Sequence, residues 1–343
     1  MKAAVLHAIG DLRIEEVPTP VLAPGEEACL VRIKYAGVCG SDIGRVFKDG
    51  TYSFPLIPGH EFAGIVEACG PNAPVGVGQA VAVYPLLPCF ACPSCAQQQY
   101  PQCEHYDYFG SRCDGGFAEY VKVPYFNLVP APAGLSLQEA ALCEPGSVAQ
   151  HGLRVAGLKT GDSVLIFGAG AIGLMMAQWA FILGAGAVTL LDIADEKLAA
   201  GREICPKATF HNSKDTSVED LLGTQRFSLC VEGTGAPVCY PQVIRYAANN
   251  GRVLFLGNPS RDVVLERPMV SQILRKQLTI HGTWNSSIAG AINEWACTLQ
   301  AAADRELNLQ AMVTQTYPLS QALAALEMMR DGKVFFNRVV LEC

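Results

Sequence analysis

Four cysteines within fifteen residues, Cys89, Cys92, Cys95 and Cys103, constrain this chain more than any other feature. Their spacing is C-x2-C-x2-C-x7-C, with Pro88, Pro93 and Pro101 among them. Two-residue spacers let neighbouring sulfurs reach one tetrahedral ion at about 2.3 Å, so the stretch reads as a zinc lobe. A disulfide framework is the competing reading of the same residues. A closed four-thiolate site leaves no open position for a substrate. The lobe therefore reads as structural, and the chemistry is expected elsewhere.

The rest of the chain narrows the choice. Its 343 residues suit two domains, and a 50% hydrophobic content supplies large cores. The net charge of −7, with both signs interspersed, argues against a nucleic-acid-binding face and so against a zinc-dependent nucleic-acid module. Fourteen cysteines would suit a secreted protein, but the opening MKAAVLHAIGDLRIEE lacks an apolar segment followed by a cleavage site. The apolar run Leu174 to Leu183 is too short to span a bilayer. The expectation is a cytoplasmic protein with reduced thiols and bound zinc, with neither membrane nor nucleic acid as partner.

Residues 1 to about 130 read as short strands broken by Gly and Pro, among them Met1 to His7, Leu12 to Val17 and Ala28 to Ala36. From Ser136 the pattern changes. Leu137 to Leu158 reads as a helix, and Ser163 to Phe167 as a compact apolar strand. A helix to about Gly184 follows, then a strand from Ala187 to Asp192. The alternation continues with helix 195–204, strand 227–231, helix 238–249 and strands 252–256 and 277–282. Such alternation implies βαβ units and a parallel sheet. Helices near 288–303 and 320–330 and a strand from Val334 to Leu341 complete the reading.

The turn Gly168-Ala169-Gly170-Ala171-Ile172-Gly173 sits between the first strand of this series and its helix. That context makes G-x-G-x-x-G a dinucleotide fingerprint. Gly168 permits the tight turn, Gly170 the approach of a pyrophosphate, and Gly173 close helix–strand packing. The helix N-terminus, at Ile172 and its neighbours, offers N–H groups to the phosphates. Asp192, 19 positions beyond Gly173, can accept from both adenosine ribose hydroxyls and would repel a 2′-phosphate. NAD is therefore favoured over NADP. Lys197 can approach the ribose edge, or simply be a solvated helix residue. A glycine turn in a fold that has lost its nucleotide is the other reading.

Cys39, His60, Glu61 and Glu144 are too scattered for spacing to join them, and each has a plain packing explanation. The order of motifs supplies the missing context. Cys39-Gly40-Ser41-Asp42, Gly59-His60-Glu61, the cysteine lobe and the nucleotide turn together resemble the medium-chain zinc-dependent dehydrogenases over essentially the whole chain. Glu144-Pro145 looks like the polyol-oxidising branch. The resemblance implies a GroES-like, mostly β catalytic domain (1–147 and 285–343, with the lobe at about 86–106) and a Rossmann NAD-binding domain (148–284). The active site would lie in the cleft between them. It implies Cys39, His60 and Glu144 as ligands of a catalytic zinc, with Glu61 also able to reach it, and a second, structural zinc in the lobe. Two carboxylates, a thiolate and an imidazole make a hard, anionic site that suits a polyol oxygen pair.

The chemistry implied is oxidation of a secondary hydroxyl. Zinc acidifies the hydroxyl, hydride passes to the nicotinamide, and Ser41 is the first proton relay. A histidine common in relatives five residues after the ligand cysteine is replaced by Gly44. No base is therefore assigned beyond Ser41. Asp42 can cap or brace its loop. Arg45, Lys48 and Arg112 would suit a sugar-alcohol phosphate, since arginine binds phosphate through paired hydrogen bonds. They would otherwise be solvated surface cations. Trp284 would line the pocket or pack between domains. An unphosphorylated polyol, a vicinal diol or L-threonine is the alternative substrate. A non-catalytic protein on the same fold is the alternative class. The family habit of pairing last Rossmann strands, here Leu278 to Gly282, implies a homodimer, with a tetramer as the larger option.

Overall fold

The strand Ala28–Val38 is the spine of the first structural unit in the computed structural model, which describes residues 1–290 and 292–343. Val31, Ile33, Ala36 and Val38 are buried along it, as a two-sided sheet position requires. Among the described residues seven strands form this sheet. Its order is Val313–Pro318, Arg338–Glu342, Ala28–Val38, Glu61–Cys69, Ala80–Val83 and Leu128–Pro130, with Tyr120–Pro124 paired onto Ala28–Val38. Phe62, Val83, Phe117, Leu326 and Leu341 fill the adjoining core. Each such side chain contributes roughly 1.5–3 kcal/mol by leaving water. The unit comprises Met1–Ser147, Ser287–Arg305 and Leu309–Cys343.

The second unit comprises Val148–Ser286 and Glu306–Asn308. Among the described residues six strands lie parallel in the order Thr209–Asn212, Ala187–Asp192, Ser163–Phe167, Phe227–Glu232, Ala247–Phe255, Thr279–Gly282. In chain order this is 3-2-1-4-5-6, the doubly wound arrangement of a dinucleotide-binding sheet. The order reverses between Ser163–Phe167 and Phe227–Glu232. The crevice for a ligand therefore lies beyond Phe167 and Glu232.

Several elements differ from the sequence reading. The helix expected over Leu137 to Leu158 is two helices, Leu137–Ala141 and Cys143–Val155. Ser136 caps the first through the N–H of Glu139 at 3.2 Å, and Pro145 sits in the first turn of the second, where a missing N–H costs little. The helix expected to 249 ends at Tyr246, because Ala247 is drawn into sheet pairing opposite Phe227. A helix at Arg267–Lys276, with Pro268 in its first turn, precedes the final strand and was not read from the pattern. The helix expected near 288–303 runs Glu294–Ala303, and Ala291 lies outside the described residues. Among the described residues, no helix is long and apolar enough to cross a membrane.

Candidate active site and metal centres

The lobe sulfurs form the most regular donor set. Ligand atoms of Cys89, Cys92, Cys95 and Cys103 all lie within 4.8 Å of one another. Cys89 Sγ and Cys95 Sγ are 3.9 Å apart, as are those of Cys92 and Cys103. A tetrahedron with metal–sulfur bonds of about 2.3 Å has edges of roughly 3.8 Å, whereas a disulfide needs about 2.05 Å. The spacing fits one zinc ion and no disulfide. Backbone N–H groups of Ala91 and Cys92 point at Cys89 and push its thiol down, as those of Glu104 and Cys95 do for Cys92. Both therefore favour the thiolates a metal requires.

The second donor set comes from the spine strand and its neighbour. Cys39 follows Ala28–Val38 directly and stands at the N-cap of the helix Gly40–Gly44, which continues as a wider π turn over Arg45–Asp49. His60 and Glu61 stand at the start of the neighbouring strand Glu61–Cys69, and Glu61 lies opposite Gly37. Antiparallel pairing thus returns residues twenty positions apart to one place. Ligand atoms of Cys39, His60 and Glu61 lie within 4.8 Å of one another. A thiolate, an imidazole and a carboxylate suit zinc. Glu144 is buried nearby, outside that trio, and accepts from the Tyr108 hydroxyl at 3.3 Å. Burial raises its carboxyl, while the charge of His60 pulls it down and that of Cys39 raises it further.

Each member is held by a partner. Asp42 is fully buried and accepts from the Cys39 backbone N–H at 3.0 Å. Its other oxygen lies 3.5 Å from His60 Nδ1 and accepts from Arg45 Nη1 at 2.9 Å. Nδ1 thus faces a carboxylate, and Nε2 is the atom left for a metal. Burial works to protonate Asp42, but the His60 and Arg45 charges outweigh it and hold the carboxyl below its usual range. Burial likewise opposes a charged His60, yet Asp42 and Cys39 push the imidazole up to about 10. Desolvation raises the half-buried Cys39 thiol, and the His60 charge outweighs it and lowers it. A divalent ion among these groups would supply the positive charge now carried by the imidazole proton. Glu61 pairs with Arg338, both buried.

The expected substrate residues fare differently. Arg45, expected at a phosphate, is committed through Nη1 to Asp42 and to Ser41 Oγ, the latter at 2.8 Å. Ser41 is exposed, and its oxygen accepts from that cation while its own proton meets no acceptor among the described residues. Lys48 is exposed at the end of the π turn. Arg112 is held against two rings, its Cζ 4.2 Å from the Tyr52 centroid and 4.4 Å from that of Tyr106. Trp284 belongs to the second unit and is 56% exposed.

In that unit the turn Gly168–Gly173 leaves Phe167 and opens the helix Ala171–Ile182 at its Gly170 N-cap. A Cβ on Gly173 would stand 2.0 Å from the Gly168 carbonyl oxygen, so helix and turn pack only with glycine there. A Cβ on Gly170 would meet nothing within 4 Å; the space beside it is open to a phosphate. Asp192 closes the next strand. It accepts from the N–H of Ala169 at 2.8 Å and from those of Ile193 and Ala194, and Lys197 Nζ lies 4.0 Å away. It braces the glycine turn.

Sequence reasoning missed five of these supports: Tyr52 and Tyr106 around Arg112, Tyr108 beside Glu144, Arg338 beside Glu61, and Glu232. Buried Glu232 accepts from the N–H groups of Thr234 and Gly235 and from the Thr234 hydroxyl, fixing the loop beside the nucleotide turn. Only its place at the end of a parallel strand could have flagged it.

The chain matches the family model of the alcohol dehydrogenase GroES-like domain over residues 25–133 and that of the zinc-binding dehydrogenases over 171–304. It is 36% identical to galactitol 1-phosphate 5-dehydrogenase of Escherichia coli K12, over 91% of this chain and 92% of that one. The chain belongs to the medium-chain zinc-binding dehydrogenases. This dehydrogenase is also 30% identical to chicken (Gallus gallus) sorbitol dehydrogenase, over 99% of its own length and 96% of the relative's. The crystal structure of galactitol-1-phosphate dehydrogenase from Escherichia coli superposes with a TM-score of 0.91 at 33% identity, covering both chains completely. The GroES-like and Rossmann architecture and an oxidoreductase activity of the polyol and alcohol dehydrogenase type follow.

Proposed function

We propose that this enzyme oxidises a secondary hydroxyl of a sugar-alcohol phosphate, such as galactitol 1-phosphate, with NAD as hydride acceptor. The observation that carries the phosphate assignment is the Tyr52–Arg112–Tyr106 stack. Two rings brace the guanidinium, with Cζ 4.2 and 4.4 Å from their centroids, and its N–H groups are the donors it offers. One of them, on Nη2, reaches the Tyr52 hydroxyl at 3.3 Å. Such a preset planar cation fits a phosphate through paired bonds. Tyr106 packs on Tyr108 with centroids 6.2 Å apart, and Tyr108 on His60 at 5.8 Å. One aromatic row thus runs from Arg112 to His60. The relative's name supports the same reading.

Cys39 and His60, with Glu61 or Glu144, would hold the catalytic zinc, and Cys89, Cys92, Cys95 and Cys103 a structural one. The bound metal lowers the pKa of a hydroxyl, and NAD accepts hydride. The residues do the rest. Asp42 fixes the His60 ring. Ser41, with its oxygen held by Arg45, is placed to pass the hydroxyl proton to solvent. Asp192 favours NAD, because its carboxylate repels a 2′-phosphate.

The test pairs each sugar alcohol with its phosphate, using NAD and the zinc-replete enzyme. A charge-assisted contact of about 1.5–3 kcal/mol predicts a preference in kcat/KM of roughly 10–150-fold for the phosphate. Arg112→Met should erase that preference while leaving the rate on the free polyol in place. Equal rates within each pair for the unaltered enzyme would overturn the phosphate assignment.

A further inference from the structure

The strand pair that carries Cys39 at one end carries a second pair of cysteines at the other. Cys29 and Cys69 stand directly opposite each other in the antiparallel register of Ala28–Val38 and Glu61–Cys69. The N–H of Gly70 donates to the Ala28 carbonyl at 2.9 Å, so the backbone bonds fall on the neighbouring pair. Cys29–Cys69 is therefore a non-hydrogen-bonded pair, in which Cα atoms approach to about 4.5 Å and side chains converge. That separation lies within the range a disulfide accepts, roughly 4.4–6.8 Å. The sulfurs already lie 2.7 Å apart, while the zinc-lobe pairs stand at 3.9 Å. Cys29 is fully buried and Cys69 half-exposed, so a reagent in solution meets Cys69 first.

We propose that Cys29 and Cys69 form a reversible cross-strand disulfide, a redox modification site separate from both metal centres. The oxidant is a low-molecular-weight disulfide. The Cys69 thiolate attacks one of its sulfurs, forming a mixed disulfide and releasing one small thiolate. The Cys29 thiolate then attacks Cys69 Sγ and releases the second. The protein loses two protons and two electrons, and the small disulfide becomes two thiols. A small dithiol reverses both steps.

The closed loop gives the link a consequence. Residues 30–68 lie between the two sulfurs and include Cys39, Ser41, His60 and Glu61. The bond would remove freedom from the unfolded form of the segment that builds the catalytic site. It would leave the site's own donor atoms untouched.

The experiment treats the zinc-replete full chain with oxidised glutathione and then alkylates the remaining thiols. Chymotryptic cleavage after Phe62 and Leu86 separates Cys69 from the lobe cysteines. The expected product is a peptide joining Cys29 to Cys69, two hydrogens lighter than the sum of its parts and split by dithiothreitol. Zinc content and activity should be unchanged, and the thermal midpoint should rise. The same treatment of Cys69→Ser, checked for retained zinc, should give no linked peptide. Glutathione persisting on Cys69, both thiols remaining open to alkylation, or Cys69 joined to any other cysteine would each overturn the proposal.

Discussion

Arg338→Met is the sharpest test of how the site is held. The Arg338 side chain is 6% exposed and that of Glu61 1%, and each is the other's charged partner. Removing one member of a buried pair leaves the other's charge uncompensated and costs about 3–5 kcal/mol. The Glu61 carboxylate would be that stranded charge. At a urea slope near 2.5 kcal/mol per molar, the midpoint should fall by roughly 1.2–2 M. Glu61→Gln alone should cost less, because Cys39 and Asp42 still offset the Arg338 charge. The double variant, Glu61→Gln with Arg338→Met, buries no charge at this position. It should recover most of what Arg338→Met loses, leaving about 1–2 kcal/mol. Urea unfolding of the four proteins at one fixed zinc concentration completes the cycle. If the double variant loses the sum of the two single losses, Glu61 and Arg338 do not compensate each other and the reasoning fails.

The other expectations are briefer. Gly37→Ala puts a Cβ 2.3 Å from Glu61 Oε2 and 3.2 Å from Arg338 Nη2, so it should cost about 1–3 kcal/mol in unfolding and most of the activity; an unaffected enzyme would show that this pair can move aside. Asp192→Ala should weaken NAD more than NADP, and the ratio of their kcat/KM values is the readout, because losing the Ala169 contact penalises both cofactors; an unchanged ratio would remove Asp192 as the discriminator. Cys103→Ser should lower bound zinc by about one ion per chain by metal analysis, and loss of both ions would contradict separate sites.

Local chemistry decided what the chain disclosed. The cysteine lobe was legible because its ligands sit within fifteen residues, so the spacing itself sets the sulfur geometry. The helix Asp195–Ile204 and the turn before Ala171–Ile182 were legible for the same reason, since periodicity and glycine placement are local signals. The Tyr246 boundary was not, because pairing with Phe227 overrode helical propensity. The Cys39, His60 and Glu61 trio lies between these cases. Its residues carry motif signals, but their meeting depends on the register that sets Glu61 opposite Gly37.

The supports of that trio were the least legible part, for a reason the geometry makes plain. Arg338 is the first residue of the strand Arg338–Glu342, which flanks the spine on the side away from Glu61–Cys69. It reaches Glu61 only because Gly37, in the spine between them, has no side chain. In sequence these are one arginine, one glycine and one glutamate spread over three hundred residues, each unremarkable in its own surroundings. Asp42 differs, because it stands three residues after an N-cap and a capping contact with Cys39 can be anticipated from that spacing. The same cap puts its second oxygen toward His60 and Arg45. One local rule therefore sets a carboxylate against the His60 ring beside another strand. Asp42→Asn should test this: the amide can still cap Cys39, but it removes the negative charge facing Nδ1. The expected result is a folded protein with weakened zinc affinity at the trio and a full complement in the lobe. Metal titration showing both sites unchanged would mean that the His60 ring is oriented without Asp42.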